Sequence, residues 1–527
     1  MKLLNIVSWI GCRYTLSLIS SVAGTATVPA NNTTCSSDAI PFPSLFGAEI
    51  LSLSASPFTN FSTSLPQADQ HFALNITGLD FCNVSVQYTH PGWNDRINVQ
   101  LWLPLSSSQW NERFMGTGGA AYASELGVLS LPYAVSLGYS AVATDGGHPS
   151  VYFDPSSWAL SSPGNVNWFL LQDFAAVALD DAATIGSPPR HSYWNGCSEG
   201  GRQGLMMAQR YPTQYDGIIA AAPAINWEKV LVAGYWPQLV MNQLGVYPSE
   251  CEFEAITAAA IAACDGLDGV EDGIIAAPGL CQFDPYTLVG QPFNHAEAAA
   301  VALAAWTGSR SVSGEFQWYG LNQDAPLNVL APTSCILPGR PCPSDFAPFY
   351  QLFNTWLTYF VAKNPVFNVT NVTYRDYDTL FRQSTNQYAS ILGTADADLT
   401  DFRASGAKLI AWHALADPLL PANGTIEYYE RVLERDPRAT DYFRFFAAPG
   451  GGHCGGGVGY YPHSGLQALV DWVESGIAPE TLLGRTLPDD EGKIREAPLC
   501  PYPLVAAYQG GDVDVAGSFW CQESFLR

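Results

Sequence analysis

His191-Ser192-Tyr193-Trp194-Asn195-Gly196-Cys197-Ser198-Glu199-Gly200-Gly201-Arg202-Gln203-Gly204-Leu205-Met206-Met207 is the stretch whose reading decides the fold. Its first residues lead as a strand into Gly196-Cys197-Ser198-Glu199-Gly200, a complete G-x-S-x-G, and helical Arg202 to Gln209 follows. A serine between two such elements sits on a crowded, strained turn, and small neighbours give the backbone room. The helix after it can present N–H groups to a developing oxyanion. So short a pattern often matches by chance, and the bland alternative is a glycine-rich turn with an inert serine. The legible strand before it and helix after it are the context the motif requires.

Working outward, residues 80–105 alternate as strands do, in Val84-Ser85-Val86-Gln87-Tyr88 and Ile97-Asn98-Val99-Gln100-Leu101-Trp102-Leu103. Phe114-Met115-Gly116-Thr117-Gly118-Gly119 runs from a strand into a glycine loop. Further short buried strands are expected at Tyr139–Asp145 and Gly217–Ala221, with a helix across 168–185 between them. Strands alternating with helices imply a mainly parallel α/β sheet. From about residue 229 to 390 the character changes. Alanine-rich helical stretches stand near 254–263 and 296–306, among long irregular runs rich in Pro, Asn and aromatics. The strand pattern returns at Lys408–His413 and Tyr442–Phe446. The expected organisation is a catalytic unit of residues 27–228 and 391–527, interrupted by a lid of residues 229–390.

An α/β-hydrolase needs an acid and then a histidine after its serine in chain order. Asp417 follows the strand Lys408–His413 in Ala416-Asp417-Pro418, at the C-terminal edge where such sheets keep their sites. An aspartate before proline is also a common turn former. His453 lies in Gly450-Gly451-Gly452-His453-Cys454-Gly455-Gly456-Gly457, where flanking glycines let a loop fold inward. His413 competes for the role of base but precedes the acid, against the expected order. Ser198 is thus the candidate nucleophile, His453 the base and Asp417 the acid. The oxyanion donors would be the N–H of Glu199 and one N–H of the loop Gly116–Ala120, assigned to Gly118.

Cys197 and Cys454 adjoin the serine and the histidine, and a disulfide between them would clamp nucleophile to base. Cys197 as nucleophile is the poorer reading, because Ser198 holds the central place of the motif. Spacing suggests further pairs, Cys35 with Cys82, Cys264 with Cys281, Cys335 with Cys342 and Cys500 with Cys521, leaving Cys251. Such cysteine usage fits an oxidising compartment. The start agrees: Met1-Lys2 opens a mostly apolar stretch through Ile19, followed by small residues, as in a signal peptide spanning 1–26. Asn31, Asn32, Asn60, Asn75, Asn83, Asn368, Asn371 and Asn423 begin N-x-[ST] sequons. A secreted, glycosylated protein is expected. The formal net charge of −25 disfavours nucleic acid and anionic membranes as partners.

Cys264-Asp265-Gly266-Leu267-Asp268-Gly269-Val270-Glu271-Asp272-Gly273-Ile274 is conspicuous in a chain with only 13% charged residues. Carboxylates crowded into so short a loop repel unless a cation offsets them. Calcium would take oxygen from Asp265, Asp268 and Asp272 and from backbone carbonyls such as those of Val270 and Ile274. The loop matches an EF-hand only in part, and an acidic solvated turn is the other reading. Lying in the insertion, a calcium ion here is expected to be structural and remote from the chemistry.

Gly196-Cys197-Ser198-Glu199-Gly200-Gly201-Arg202, Ala416-Asp417-Pro418 and Gly452-His453-Cys454 together resemble the tannase and feruloyl esterase family of fungi and bacteria. The resemblance runs from about Cys82 to Cys521 and takes in Tyr215-Asp216-Gly217, Ala222-Pro223-Ala224 and Leu499-Cys500-Pro501-Tyr502-Pro503. It implies an α/β-hydrolase core with a lid, a Cys197–Cys454 disulfide, and a triad of Ser198, Asp417 and His453. It also implies a lid Ca²⁺ held by Asp265, Asp268, Val270, Asp272 and Ile274, the Val and Ile through carbonyls. The implied activity is hydrolysis of aromatic-acid esters, feruloyl or galloyl, small or linked to polysaccharide. Lid aromatics such as Trp236, Trp318 and Tyr319 could stack on the acyl ring, although most are expected to be core. A peptidase or lipase on the same core would need a carboxylate pocket or an exposed apolar lid. A non-catalytic binding protein would have no reason to keep all three catalytic candidates.

Overall fold

The computed structural model describes residues 35–67, 73–106, 108–186, 190–291, 295–333 and 348–523. The expected leader, the sequons at Asn31 and Asn32 and the pair Cys335 and Cys342 lie outside the described residues. Nine strands share one sheet. They are β1 (Glu49–Leu65), β2 (Leu74–Thr89), β3 (Ile97–Pro104), β4 (Arg113–Thr117), β5 (Ser140–Thr144), β6 (His191–Cys197), β7 (Gly217–Ala221), β8 (Lys408–Ala414) and β9 (Phe443–Ala448). Their order across the sheet is β1-β2-β3-β5-β4-β6-β7-β8-β9. The links β1–β2, β2–β3 and β3–β5 are antiparallel, and every link from β5 to β9 is parallel. This is the mainly parallel α/β-hydrolase sheet that the alternation predicts.

The parallel strands are apolar on both faces because helices cover both. Along β8, Leu409 and Ala411 join one core, and Ile410, Trp412 and Ala414 the other. In β9, Phe443 and Phe445 face the first core and Phe446 and Ala448 the second. The elements β6, β8 and β9 run parallel, so their C-terminal ends share one edge of the sheet.

The expected helix across 168–185 is present as one continuous run, residues 168–186, with a π-helical turn at Asp173–Val177. Among the described residues between β7 and β8, none joins the large sheet. This segment forms helices at Trp227–Ala233, Trp236–Leu244, Glu250–Cys264, Ala296–Thr307 and Tyr374–Leu392, with a short ribbon of Ser309–Arg310 and Phe316–Trp318. Its core carries Trp227, Trp318, Trp356 and Phe360 and reaches Leu419 and Leu420 beyond β8. The expected lid boundaries both fall inside helices, Trp227–Ala233 and Tyr374–Leu392, which pack together. Disulfides join Cys35 to Cys82, Cys197 to Cys454, Cys264 to Cys281 and Cys500 to Cys521, and Cys251 is an exposed thiol. Among the described residues no helix is long and apolar enough to cross a membrane.

Candidate active site

Ser198 stands between the end of β6 and the helix Glu199–Arg210, at φ 62 and ψ −118. An L-residue holds such angles only where its surroundings over-determine them. Here Ser198 N–H donates to Ala221 O at the end of β7, and Ser198 O accepts from Arg202 and Ala224 N–H, each at 3.0 Å. Glycine is needed around it for a steric reason. A Cβ on Gly118 would stand 2.4 Å from Gly200 Cα. That approach lets Gly200 N–H reach Gly119 O at 3.0 Å and ties the glycine loop to the elbow.

Asp417 follows β8, with its N–H directed to Ala414 O. Its carboxylate divides its work. Oδ1 accepts the N–H groups of Leu419 at 2.8 Å and Leu420 at 2.9 Å, as a turn-forming aspartate does. Oδ2 accepts from His453 Nδ1 at 2.7 Å and from His413 Nε2 at 3.1 Å. Burial alone would push this carboxyl up, but the His453 and His413 rings outweigh it and hold it well below the usual carboxylate range. It is 1% exposed and ionised. A carboxylate can only accept, so His453 carries its proton on Nδ1 and leaves Nε2 with a lone pair.

The histidine loop is shaped by its glycines. A bridge pairs Gly451 with Gly457, and Gly450, Gly456 and Gly457 all have positive φ. Cys454 holds φ 55 and is bonded to Cys197, with the two Cα atoms 5.9 Å apart. The disulfide therefore joins the residue before Ser198 to the residue after His453. No direct hydrogen bond joins Ser198 to His453 among the described residues.

Of the two expected oxyanion donors, Glu199 N–H has no acceptor among the described residues, as the role requires. Gly118 does not fit. Its N–H donates to Asn195 O at 3.1 Å, extending the β4–β6 ladder. Gly119 N–H is held by Gln203 Oε1 at 3.0 Å and Ala120 N–H by Ala123 O. Just beyond, Ala121 at φ 50 has an N–H without an acceptor among the described residues.

Two features escape sequence reasoning. The first is a fully buried ion pair beneath the elbow, in which Arg202 Nε meets Glu199 Oε2 at 2.7 Å and the guanidinium also donates to Ala175 O and Thr394 Oγ1. Its i, i+3 spacing is legible, but its burial is not. The second is the position of the acidic loop. It is not remote: a Cβ on Gly450 of the histidine loop would lie 2.8 Å from Ile274 Cγ1. Arg495 also bridges the two loops, donating to Asp272 O at 2.9 Å and Val458 O at 3.1 Å. A gap of about 10 Å³, room for a single water, is lined by Val230, Trp236, Tyr319 and Leu330 and by Leu419 and Pro421, which follow Asp417 in the chain.

Residues 82–305 and 343–522 match the family described as tannase and feruloyl esterase. A probable feruloyl esterase of Arthroderma benhamiae is 40% identical over 517 residues, covering 92% of this chain and 93% of that one. The tannin acyl hydrolase of Aspergillus niger superposes with a TM-score of 0.83 at 27% identity, over 94% of this chain and 96% of its own. Feruloyl esterase B of Aspergillus oryzae shares the fold with a TM-score of 0.74 at 23% identity, over 91% and 97%. A strained serine elbow, an aspartate–histidine pair at the same sheet edge and this match over most of the chain lead to one conclusion: the chain belongs to the tannase and feruloyl esterase family and is a carboxylic ester hydrolase.

Proposed function

We propose that the protein is a secreted serine esterase that cleaves aromatic-acid esters, feruloyl esters foremost, through an acyl-enzyme. The observation that carries this is the Asp417–His453 contact at 2.7 Å, with His453 tied to the serine elbow by the adjoining disulfide. Ser198 Oγ attacks the ester carbonyl carbon while its proton passes to His453 Nε2. The carbonyl π pair moves to oxygen, where Glu199 N–H receives it, with Ala121 N–H the candidate second donor. The bond to the alcohol then breaks, and the alcohol leaves with the proton from His453. Water, deprotonated by the same nitrogen, attacks the acyl-serine, and the acid departs as Ser198 regains its proton. Asp417 holds the Nδ1–H tautomer and balances the imidazolium formed in each half.

The feruloyl reading draws on the relative from Arthroderma benhamiae. A galloyl reading is favoured by the closer superposition on the tannin acyl hydrolase. Among the lid aromatics Trp236 and Tyr319 are partly exposed and are the better candidates to meet a planar acyl group, whereas Tyr235, Trp318, Trp356 and Phe360 are core. Secretion is supported by the disulfides and the leader-like start. The sequon residues Asn60, Asn75, Asn368 and Asn371 are exposed enough to carry glycans.

The acidic loop fits Ca²⁺ by the chemistry of its donors. Asp268 is pushed up to about 6 by burial and by Asp272 and Asp265 beside it, and the Val270 and Ile274 carbonyls accept no hydrogen bond among the described residues. Asp265, Asp268, Asp272 and these two carbonyls would hold the ion, which would supply charge compensation rather than catalysis.

The test is a hydrolysis panel of methyl ferulate, methyl caffeate, methyl gallate and a terephthalate monoester. Methyl ferulate should show the highest kcat/KM, and Ser198→Ala should lose about 10⁴-fold or more in kcat with an unchanged circular dichroism spectrum. Preference for the gallate would transfer the assignment to tannase, and turnover surviving in Ser198→Ala would remove the nucleophile.

A further inference from the structure

The geometry points to His413 as a positioning residue for the catalytic acid: its Nε2–H holds Asp417 Oδ2 so that the same oxygen meets His453 Nδ1. This rests on the reading of Asp417 and His453 given above. His413 lies in β8 and is 1% exposed. Its Nε2 is 3.1 Å from Asp417 Oδ2 and 3.0 Å from Leu420 O. Both of these are acceptors, so Nε2 must carry a proton. On the other side Nδ1 lies 2.8 Å from Thr425 Oγ1, in the helix Ala422–Arg435. A hydroxyl can donate to a bare ring nitrogen, so the ring needs no charge to satisfy every partner. The two acceptors at Nε2 select the tautomer that donates to the acid, and Thr425, itself 2% exposed, can donate to the bare Nδ1.

Asp417 consequently has a donor on every side: two backbone N–H groups on Oδ1 and two imidazoles on Oδ2. Rotation about its carboxyl bond would break all of them together. The unequal distances, 2.7 Å to His453 and 3.1 Å to His413, fit a division of labour in which His413 orients and His453 reacts. A second donor also draws electron density from Oδ2. The predicted cost of removing it is misorientation of His453, and the predicted signature is a stronger hold of Asp417 on the imidazolium.

The experiment compares His413→Phe, His413→Gln and His413→Asn in the full-length protein, with the best ester of the panel. Gln can bring an amide N–H to the place of Nε2; Asn has the same amide but falls one methylene short. His413→Phe and His413→Asn should lose about a hundredfold in kcat with little change in KM, the scale expected of a misplaced catalytic group. Their acid limb in kcat/KM should move to higher pH, because Asp417 then acts on His453 alone. His413→Gln should keep about a tenth or more of kcat and the wild-type limb. Equal losses in Gln and Asn that track melting temperature, with an unmoved limb, would mean a packing role only and overturn the inference. Where the Phe variant does not fold, the Gln–Asn contrast decides alone. An Asp417→Asn control separates the two readings: if it retains wild-type turnover, the triad fails. If it is inactive while His413→Phe and His413→Asn match wild type, only the role of His413 fails.

Discussion

Ser198 and Cys454 both hold positive φ, at 62 and 55, on the two sides of the disulfide that joins elbow to histidine loop. Such conformations cost about 1–3 kcal/mol each and survive where neighbouring structure enforces them. With Cys197→Ala and Cys454→Ala combined, that enforcement is lost at both ends. We expect kcat to fall about a hundredfold with KM little changed, and the melting temperature to drop by several degrees. Steady-state kinetics beside a thermal scan would check this, and full kcat in the double variant would break the link. The three catalytic candidates were readable because each sits in a motif with its own punctuation: G-x-S-x-G, Asp-Pro, and a histidine among glycines. His413 was readable as a histidine but not as a partner of Asp417, because their contact crosses a strand end and a turn with no periodic spacing. Gly118 misled because the direction of an N–H depends on ladder register, and a shift of one residue decides whether it points to a neighbouring strand or into a site.

At the scale of elements, the parallel strands were legible from their uninterrupted apolar runs, whereas β1 was not. Its Glu49–Leu65 strand mixes apolar and polar residues, lies mostly exposed at the edge of the sheet, and its pairing with β2 is interrupted by bulges. The helix Tyr374–Leu392 was hidden for a related reason: much of its surface is polar, although Thr373 and Asp376 form a capping box at its start. The acidic loop Asp265–Ile274 gains most from being placed in three dimensions. It abuts Gly450, and Arg495 links Asp272 to Val458, so the loop that would hold calcium supports the loop that carries His453. Chelation should therefore lower the melting temperature and reduce kcat as well. Arg495→Met should reproduce the loss of kcat without a chelator. Thermal scans and initial rates with EDTA and with added Ca²⁺ measure both; unchanged values in EDTA would mean that no ion is bound there.

For the molecule as a whole, buried acids set the pH dependence. Asp173 is pushed up to about 9 by burial and by Asp95 and Asp181, within a cluster where His90 Nδ1 meets Asp95 Oδ2 at 2.6 Å. Burial likewise pushes Asp324 and Glu125 up to about 7. Each is raised above its unfolded value, so the native state binds more protons than the unfolded one from about pH 4 upward. Stability must then fall as pH rises through about 7 for Asp324 and Glu125 and about 9 for Asp173. The melting temperature should be higher near pH 5 than near pH 9, and Asp173→Asn should flatten the alkaline part of the slope. Equal stability at both pH values would show that these acids are ionised in the fold. Cys197 and Cys454 are 257 residues apart in sequence, with the whole helical insertion between them. The bond that braces the catalytic centre therefore closes late, after nearly all of the chain has been synthesised and after it has met an oxidant. Until then only the sheet and its hydrogen bonds hold the nucleophile and its base together. The bridge that braces the finished site thus links residues 257 positions apart and can form only once Cys454 has been added to the chain.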